Sequence, residues 1–190
     1  MAFRRIAKQV GRAGKVINNV LDFVRRRDQA REAVAPLALL DATDPLVNLQ
    51  ARKLQVKEHA RFDSRLPSDL CNRTMVERVL LNLARNGTQA MDQPGSMAQE
   101  LMLQVRRAAS NAEHGWVEFS VSDVGMGIAD DVAGQLFTPF STTKAEGMGL
   151  GLCHTVVEQH GGHLGFKPLV PRGTVFRFTL PAVLLDNIAA

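Results

Sequence analysis

Two asparagines on one predicted helix have side chains that could hold a hard cation or orient phosphate oxygens. Asn82 and Asn86 are four residues apart, so they share one face of the helix predicted for residues 74–91. Amide oxygens are suitable ligands for Mg²⁺, and apolar residues occupy the opposite face of the helix. Taken alone, the pair is more typical of an ordinary polar helix face than of a metal site.

A second segment, residues 123–128, brings a carboxylate and two glycines to the end of the strand predicted for residues 116–123. Asp123 could accept a hydrogen bond from an exocyclic amine and so select adenine. Gly125 and Gly127 would let the backbone pass close to a ligand. The alternative is a strand-to-turn segment without function. The glycine spacing and the missing βαβ context exclude the dinucleotide-binding fingerprint.

Two further segments have the composition of phosphate-binding sequences. Residues 147–152 open the helix predicted for residues 150–160 with three glycines, and N–H groups exposed at a helix start favour polyphosphate. Residues 136–144 join an apolar anchor to hydroxyl and ammonium groups that suit phosphate oxygens. The side chains of interest there are Phe137, Phe140, Thr142, Thr143 and Lys144. A flexible hinge and an ordinary surface loop are the respective alternatives.

The elements that must position these segments form a mixed α+β pattern from residue 37 onward. Periodicity predicts helices near residues 41–53, 74–91 and 150–160. Strands are predicted at residues 37–39, 55–62, 100–107, 116–123, 163–167 and 174–180. We expect Pro45 in the first turn of the first helix, Thr74 as the cap of the second, and a helix stop at Gly161-Gly162.

The first thirty residues have a different rhythm. Their apolar residues recur at an average spacing of 3.5, the period of a helix that packs lengthwise against a partner helix; they are Phe3, Ile6, Val10, Ala13, Ile17, Val20 and Val24. We therefore expect a long, coiled-coil-like N-terminal helix that fades by Ala35-Pro36. A helix lying on its own domain is the alternative.

Charge is distributed unevenly along the chain. The net charge of +4 combines an excess of +7 in residues 1–31 with −3 in the remainder. This basic segment favours a solvated helix face over a nucleic-acid contact. The 190 residues contain no apolar run of membrane-spanning length, and Cys71 and Cys153 are too few for a disulfide framework. This combination favours the cytoplasm, with any membrane anchor of the parent protein outside this sequence.

The order of the four segments resembles the N, G1, F and G2 boxes of sensor histidine kinases, within the ATPase superfamily of gyrase, Hsp90 and MutL. The resemblance extends from about residue 37 to residue 181 and includes Gly173-Thr174-x-Phe176 near the end. It implies a two-layer α/β sandwich of the Bergerat type, with a mixed sheet covered by helices on one face. Residues 36–190 would be the ATP-binding catalytic domain, and residues 1–35 the second helix of a dimerisation and phosphoacceptor hairpin.

The resemblance also implies roles for individual residues. Asn86 would coordinate magnesium with Asn82 beside it, and Asp123 would bind the adenine amine with help from water and Thr174. Lys144 would join the two asparagines as a catalytic residue on a lid anchored by Phe137 and Phe140. The full expected ATP site consists of Asn82, Asn86, Asp123, Gly125, Gly127, Ile128, Phe140, Thr142, Thr143, Lys144, Gly147, Gly149, Leu150, Gly151 and Thr174.

The reaction type follows from one position within this resemblance. Hydrolytic relatives carry a water-activating glutamate where this chain has Asn82, and an amide is a poor general base. We therefore expect transfer of the ATP γ-phosphoryl group to a protein histidine. None of the five histidines lies in the heptad helix, so the acceptor is expected on a preceding helix and the chain is expected to be truncated. Gly87 replaces the alanine usual in the family, which should cost helix stability.

The expected partners are a second copy bound through residues 1–30 in the full protein, the acceptor helix and a response regulator. We expect no nucleic-acid partner and no membrane segment in this chain. Two alternatives remain open from the sequence. One is a nucleotide-binding module without phosphotransfer, and the other is a gyrase- or MutL-type ATPase.

Overall fold

The structure, a computed structural model, describes residues 30–92, 99–108, 115–138 and 147–183. The predicted N-terminal coiled-coil-like helix lies outside these residues. The helices are α1 (Pro36–Lys53), α2 (Arg73–Met91), α3 (Asp130–Ala133) and α4 (Gly147–Gln159). The strands are β1 (Glu32–Val34), β2 (Lys57–Phe62), β3 (Asp69–Cys71), β4 (Glu100–Ala108), β5 (Trp116–Asp123), β6 (Leu164–Pro168) and β7 (Thr174–Pro181).

The main sheet has five strands in the order β2-β4-β5-β7-β6. β2 pairs with β4 in parallel and the other neighbours are antiparallel, so the sheet is mixed. The predicted α+β class with a mixed sheet is therefore confirmed. A second sheet joins only β1 and β3.

One face of the main sheet is apolar because its inward positions line up across the strands. Phe119 of β5 lies opposite Val105 and Phe178, all three are buried, and the rings of Phe119 and Phe178 stack 4.9 Å apart. The other face carries polar residues, such as Arg106 paired with Glu118 at 2.7 Å. Alternation of this kind leaves one face for the helices and one for water.

Helix α2 is the central element on the apolar face, and it contacts both α1 and α4. At Gly87 it approaches the sheet so closely that a Cβ there would lie 2.7 Å from Leu101 Cδ1 and 3.3 Å from Asp123 Cβ. The glycine expected to weaken the helix therefore also permits a close contact between α2 and the sheet. The described part of the chain is consequently a helical layer packed on one face of a sheet.

Several local predictions were wrong at the start of this region. Residues 37–39 belong to helix α1 rather than to a strand, because Pro36 sits at the first helical position, where its missing N–H is not needed. Pro45 therefore lies inside the helix and not in its first turn. The predicted N-terminal helix cannot persist to Ala35, since Glu32–Val34 forms β1 and pairs with β3.

The predicted cap of α2 was also wrong. Asn72, not Thr74, caps the helix, and its Oδ1 accepts a hydrogen bond from the Met75 N–H at 3.1 Å. The Asn72 N–H donates to His160 Nε2 at 2.9 Å, while His160 Nδ1 donates to the Val156 carbonyl at 2.7 Å. Burial lowers the pKa of His160, in keeping with a neutral ring. The end of α4 is thus tied to the start of α2.

The remaining predicted elements lie within a few residues of the observed bounds. Strand β5 matches its predicted residues, and helix α4 begins three residues earlier than expected, at Gly147. Sequence patterns did not reveal β1, β3 or α3, which are only three or four residues long. Among the helices described, none has the length and apolar character needed to cross a bilayer.

Candidate functional site

Asp123 is the buried polar centre of the site. It ends β5 with 2% of its surface exposed and lies between Leu101 of β4 and Thr174 of β7. Its Oδ1 accepts a hydrogen bond from the Gly125 N–H at 2.9 Å. Burial raises the pKa of Asp123 to about 6, against the lowering effect of the Gly125 and Thr174 N–H groups. At neutral pH, Asp123 is therefore an ionised acceptor in an apolar setting.

The loop after Asp123 is held against the end of α2. A Cβ on Gly125 would lie 2.7 Å from the carbonyl oxygen of Ala90, so only glycine fits this approach. Gly127 has a φ of +79°, which glycine adopts without strain. Ile128 packs its partly buried side chain against the core. The loop that the sequence singled out is therefore fixed in place beside Asp123.

The asparagine pair lies on the partly exposed face of α2, and the start of α4 lies next to it. A Cβ on Gly149 would be 3.7 Å from Asn82 Oδ1. Asn86 Nδ2 is buried and has no hydrogen-bond partner. Leu150 is buried in the core and anchors the first turn of α4. The structure therefore brings together two segments that are more than sixty residues apart in the sequence.

Helix α2 connects the two halves of the site. Gly87, the residue after Asn86, contacts the Asp123 side chain: a Cβ at Gly87 would be 3.8 Å from Asp123 Oδ2. The carboxylate therefore contacts α2 one residue after Asn86, and Gly149 adjoins Asn82 at the previous turn of the helix. The site therefore has the buried Asp123 carboxylate at one end and the asparagine amide groups, beside the start of α4, at the other.

The base of the predicted lid is also defined. The Phe137 ring stacks on His154 of α4 with centroids 5.1 Å apart and meets the edge of Phe166 at 6.0 Å. Phe140, Thr142, Thr143 and Lys144 lie outside the described residues. Gly147, Gly149 and Gly151 lie in the first turns of α4, where the sequence placed them.

Two residues beside the site were not among the predicted site residues. Gly173 precedes Thr174, and a Cβ there would lie 2.0 Å from the Asp123 carbonyl oxygen. Arg85 lies on α2 between the two asparagines, with its Nη2 3.6 Å from the Cβ position of Gly149. A basic residue within an asparagine pair is a signal that the sequence offered for Arg85. No local pattern indicated the contact of Gly173.

Comparison with known proteins identifies a family for the region that contains this site. Residues 71–184 match the family model described as histidine kinase-, DNA gyrase B-, and HSP90-like ATPase. This segment includes α2, Asp123, the start of α4 and Thr174. It covers more than half of the chain and all of the site described above.

Curated relatives of this chain are sensor proteins. It is 38% identical over 95% of its length to the C4-dicarboxylate transport sensor protein DctS of Rhodobacter capsulatus. Identity is 36% to the sensor protein FixL of Bradyrhizobium diazoefficiens, over 95% of this chain, and 34% to the sensor histidine kinase ZraS of Escherichia coli, over 93%. The chain spans only 27%, 35% and 36% of these three relatives, respectively.

Solved structures have the same fold. Full-length ShkA in complex with AMPPNP aligns with a TM-score of 0.71 and 25% identity, over 90% of this chain and 36% of that one. The catalytic domain of histidine kinase ThkA aligns with a TM-score of 0.67 and 23% identity, over 81% of this chain and 99% of that one. The chain therefore belongs to the histidine kinase-, DNA gyrase B- and HSP90-like ATPase family, among the ATP-binding catalytic domains of sensor histidine kinases.

Proposed function

We propose that this domain binds ATP with magnesium and transfers the γ-phosphoryl group to a histidine on a dimerisation helix, for relay to a response regulator. The observation that carries the proposal is the buried carboxylate of Asp123, which contacts α2 at Gly87, the residue after Asn86. An acceptor at one end and amide groups beside a helix start at the other match the two ends of ATP.

Asp123 is the proposed adenine-binding residue. Its ionised carboxylate accepts a hydrogen bond from the exocyclic amine, and Thr174 lies directly opposite on β7 to hold a water or the base edge. Gly125, Gly127 and Ile128 form the adjoining wall. A charge-assisted hydrogen bond in a buried setting is stronger than a neutral one, so this contact selects an amine-bearing base.

The asparagines and the start of α4 are proposed to receive the polyphosphate. Asn86 is the residue that would hold magnesium, because an amide oxygen suits this hard cation, and the cation would supply positive charge to offset that of the phosphates. Asn82 lies beside Gly149, where N–H groups at the α4 start can meet phosphate oxygens. Thr142, Thr143 and Lys144, which follow Phe137 in the sequence, would complete the site.

Asn82 favours transfer over hydrolysis. An amide cannot remove a proton from water, so this side chain positions the phosphates without activating a competing nucleophile. Catalysis then depends on orientation and on charge neutralisation of the transferring group.

The dimer would form through residues 1–30 of the full protein, and the acceptor histidine would come from a helix outside this sequence. A solved structure of ThkA with the response regulator TrrA, with a TM-score of 0.71, supports the class of partner.

A labelling experiment tests the proposed transfer. We would fuse the histidine-bearing helix of a homologous sensor kinase to the N-terminus of this chain and incubate the fusion with γ-labelled ATP and Mg²⁺. We expect a protein-bound label that is stable in alkali and lost in acid, as a phosphohistidine is. The same fusion with the acceptor histidine replaced by glutamine is the control and should remain unlabelled.

Two outcomes of this experiment would contradict the proposal. ATP binding without any phosphohistidine would identify a nucleotide-binding module. Rapid steady-state hydrolysis by the chain alone would instead indicate an ATPase of the gyrase or MutL type.

A further inference from the structure

Arg85 lies on the same side of α2 as the asparagine pair. It follows Asn82 by three residues and precedes Asn86 by one, so all three side chains leave neighbouring positions of the helix surface. Its Nη2 lies 3.6 Å from the position that a Cβ on Gly149 would occupy, and Asn82 Oδ1 lies 3.7 Å from the same point. The guanidinium group is therefore beside the first turn of α4.

Two donor atoms on this side of α2 lack a hydrogen-bond acceptor. Arg85 Nε and Asn86 Nδ2 are both buried and have no hydrogen-bond partner. A buried N–H without a partner costs about 1–3 kcal/mol, so such groups are normally satisfied in a working state. The two unsatisfied atoms are both donors of hydrogen bonds. A group that carries hydrogen-bond acceptors would satisfy both of them.

The positive charge of Arg85 indicates that the group accepting these hydrogen bonds is an anion. No ion pair among the described residues involves Arg85. The neighbouring thiol of Cys153 does not supply an anion either, because burial raises its pKa to about 12 and keeps it neutral. A fixed positive charge with unmatched donors therefore faces the start of α4. An anion with several oxygen acceptors, such as a phosphate chain, satisfies both the charge and the donors.

We propose that Arg85 binds the polyphosphate of ATP and makes the site select nucleoside triphosphate over adenosine. This inference rests on the proposed ATP-binding function and adds a residue to it. Arg85 acts at the phosphate end of the site, whereas Asp123 acts at the base end, so the two contributions can be measured separately with ligands that carry or lack phosphates.

The test compares binding of Mg·ATP and of adenosine to the wild type, Arg85→Ala and Arg85→Lys by titration calorimetry. Arg85→Ala should lower the affinity for Mg·ATP by about 10- to 100-fold, the range for a charged hydrogen bond, and leave adenosine affinity within about twofold. Arg85→Lys keeps the charge and should recover part of the loss. Arg73→Ala is the control, since Arg73 is an exposed arginine at the start of the same helix, paired with Glu77.

The ratio of the Mg·ATP affinity to the adenosine affinity decides whether Arg85 binds the polyphosphate. A ratio unchanged by Arg85→Ala would overturn the proposal, whether the absolute affinities stay constant or fall together through loss of packing. If the wild type binds both ligands, that result removes only the role of Arg85. If the wild type binds neither ligand, the proposed ATP-binding function fails as well.

Discussion

Replacing Asp123 by asparagine is expected to weaken the binding of both ATP and adenosine by roughly a hundredfold, since losing a charged, buried hydrogen bond costs about 3 kcal/mol. The asparagine side chain has nearly the same shape, but it loses the negative charge and can direct an N–H at the adenine amine. The fold should persist, because burial already disfavours the charge that the substitution removes. Calorimetric titration and a thermal melt measure the two effects separately.

The raised pKa of Asp123 predicts that the affinity for adenosine depends on pH. Burial raises the pKa of Asp123 to about 6, so the charged acceptor is present above this pH and is lost as the pH falls through it. Adenosine affinity of the wild type should therefore be constant near pH 8 and decline below pH 6. Adenosine is the ligand to use because it has no phosphate that titrates in this range. The Asp123→Asn variant should bind weakly at every pH.

Ser122→Ala is the matched control for this prediction. Ser122 precedes Asp123 on β5 but points to the opposite, partly exposed face of the sheet. Its replacement should leave the affinity within about twofold, as expected for a surface change away from the site. Equal affinities of wild type and Asp123→Asn for adenosine would remove Asp123 from the proposed base contact.

Gly173→Ala is expected to be the most destabilising single substitution beside the site, at about 4 kcal/mol. Gly173 has a φ of +117°, which side-chain-bearing residues rarely adopt. A Cβ there would also lie 2.0 Å from the Asp123 carbonyl oxygen and 2.9 Å from Val124 Cα, and both of these are backbone atoms that have little freedom to move. Urea unfolding of the variant measures the loss.

Substitutions at two other glycines distinguish the cost of a positive φ from the cost of the close backbone contact at Gly173. Gly161 has a positive φ of +79° but open space around its Cβ position, so Gly161→Ala should cost only about 1 kcal/mol. Gly134 has an ordinary φ of −67° and no neighbour within 4 Å, so Gly134→Ala should change stability by less than about 0.5 kcal/mol. If Gly173→Ala were as mild as Gly161→Ala, the close contact with Asp123 would be wrong.

The features that sequence patterns predicted well are those with local causes. Helix α2 follows from an apolar stripe, and its stripe residues Val76, Val79 and Leu83 are all buried as expected. The end of β5 at Asp123 was predicted because the alternation stops at that residue. The glycines of residues 147–151 were placed at a helix start because the apolar pattern begins there. Each of these signals is contained within a few neighbouring residues.

The features that sequence patterns missed depend on distant contacts. Strand β1 exists through its pairing with β3, across more than thirty residues. Asn72 caps α2 while its N–H is held by His160, 88 residues away. Asp69 looks like a surface turn residue after Pro67 and Ser68, yet it is fully buried with both carboxylate oxygens unpaired. Burial raises the pKa of Asp69 to about 8, so it is largely neutral at pH 7.

The candidate site also combines features that have local sequence signals with contacts between residues that are distant in the sequence. Its segments could be listed from their composition and order, but the contacts of Gly87 with Asp123 and of Arg85 with the start of α4 arise from packing. Neither contact has a sequence period that would reveal it. Arg85 stands out in the sequence only as a basic residue between two asparagines, and its contact with α4 becomes evident only in the structure.

The surface that binds the nucleotide can be located by NMR. We would titrate the ¹⁵N-labelled wild-type protein with Mg·AMPPNP and follow its amide resonances. We expect the largest shifts at the amides of Asn86, Gly125, Gly127, Gly149 and Gly151, with saturation at one nucleotide per chain. Shifts confined to another surface, such as the acidic groove lined by Asp44, Glu58 and Phe62 between α1 and β2, or no shifts at all, would contradict the proposed ATP site.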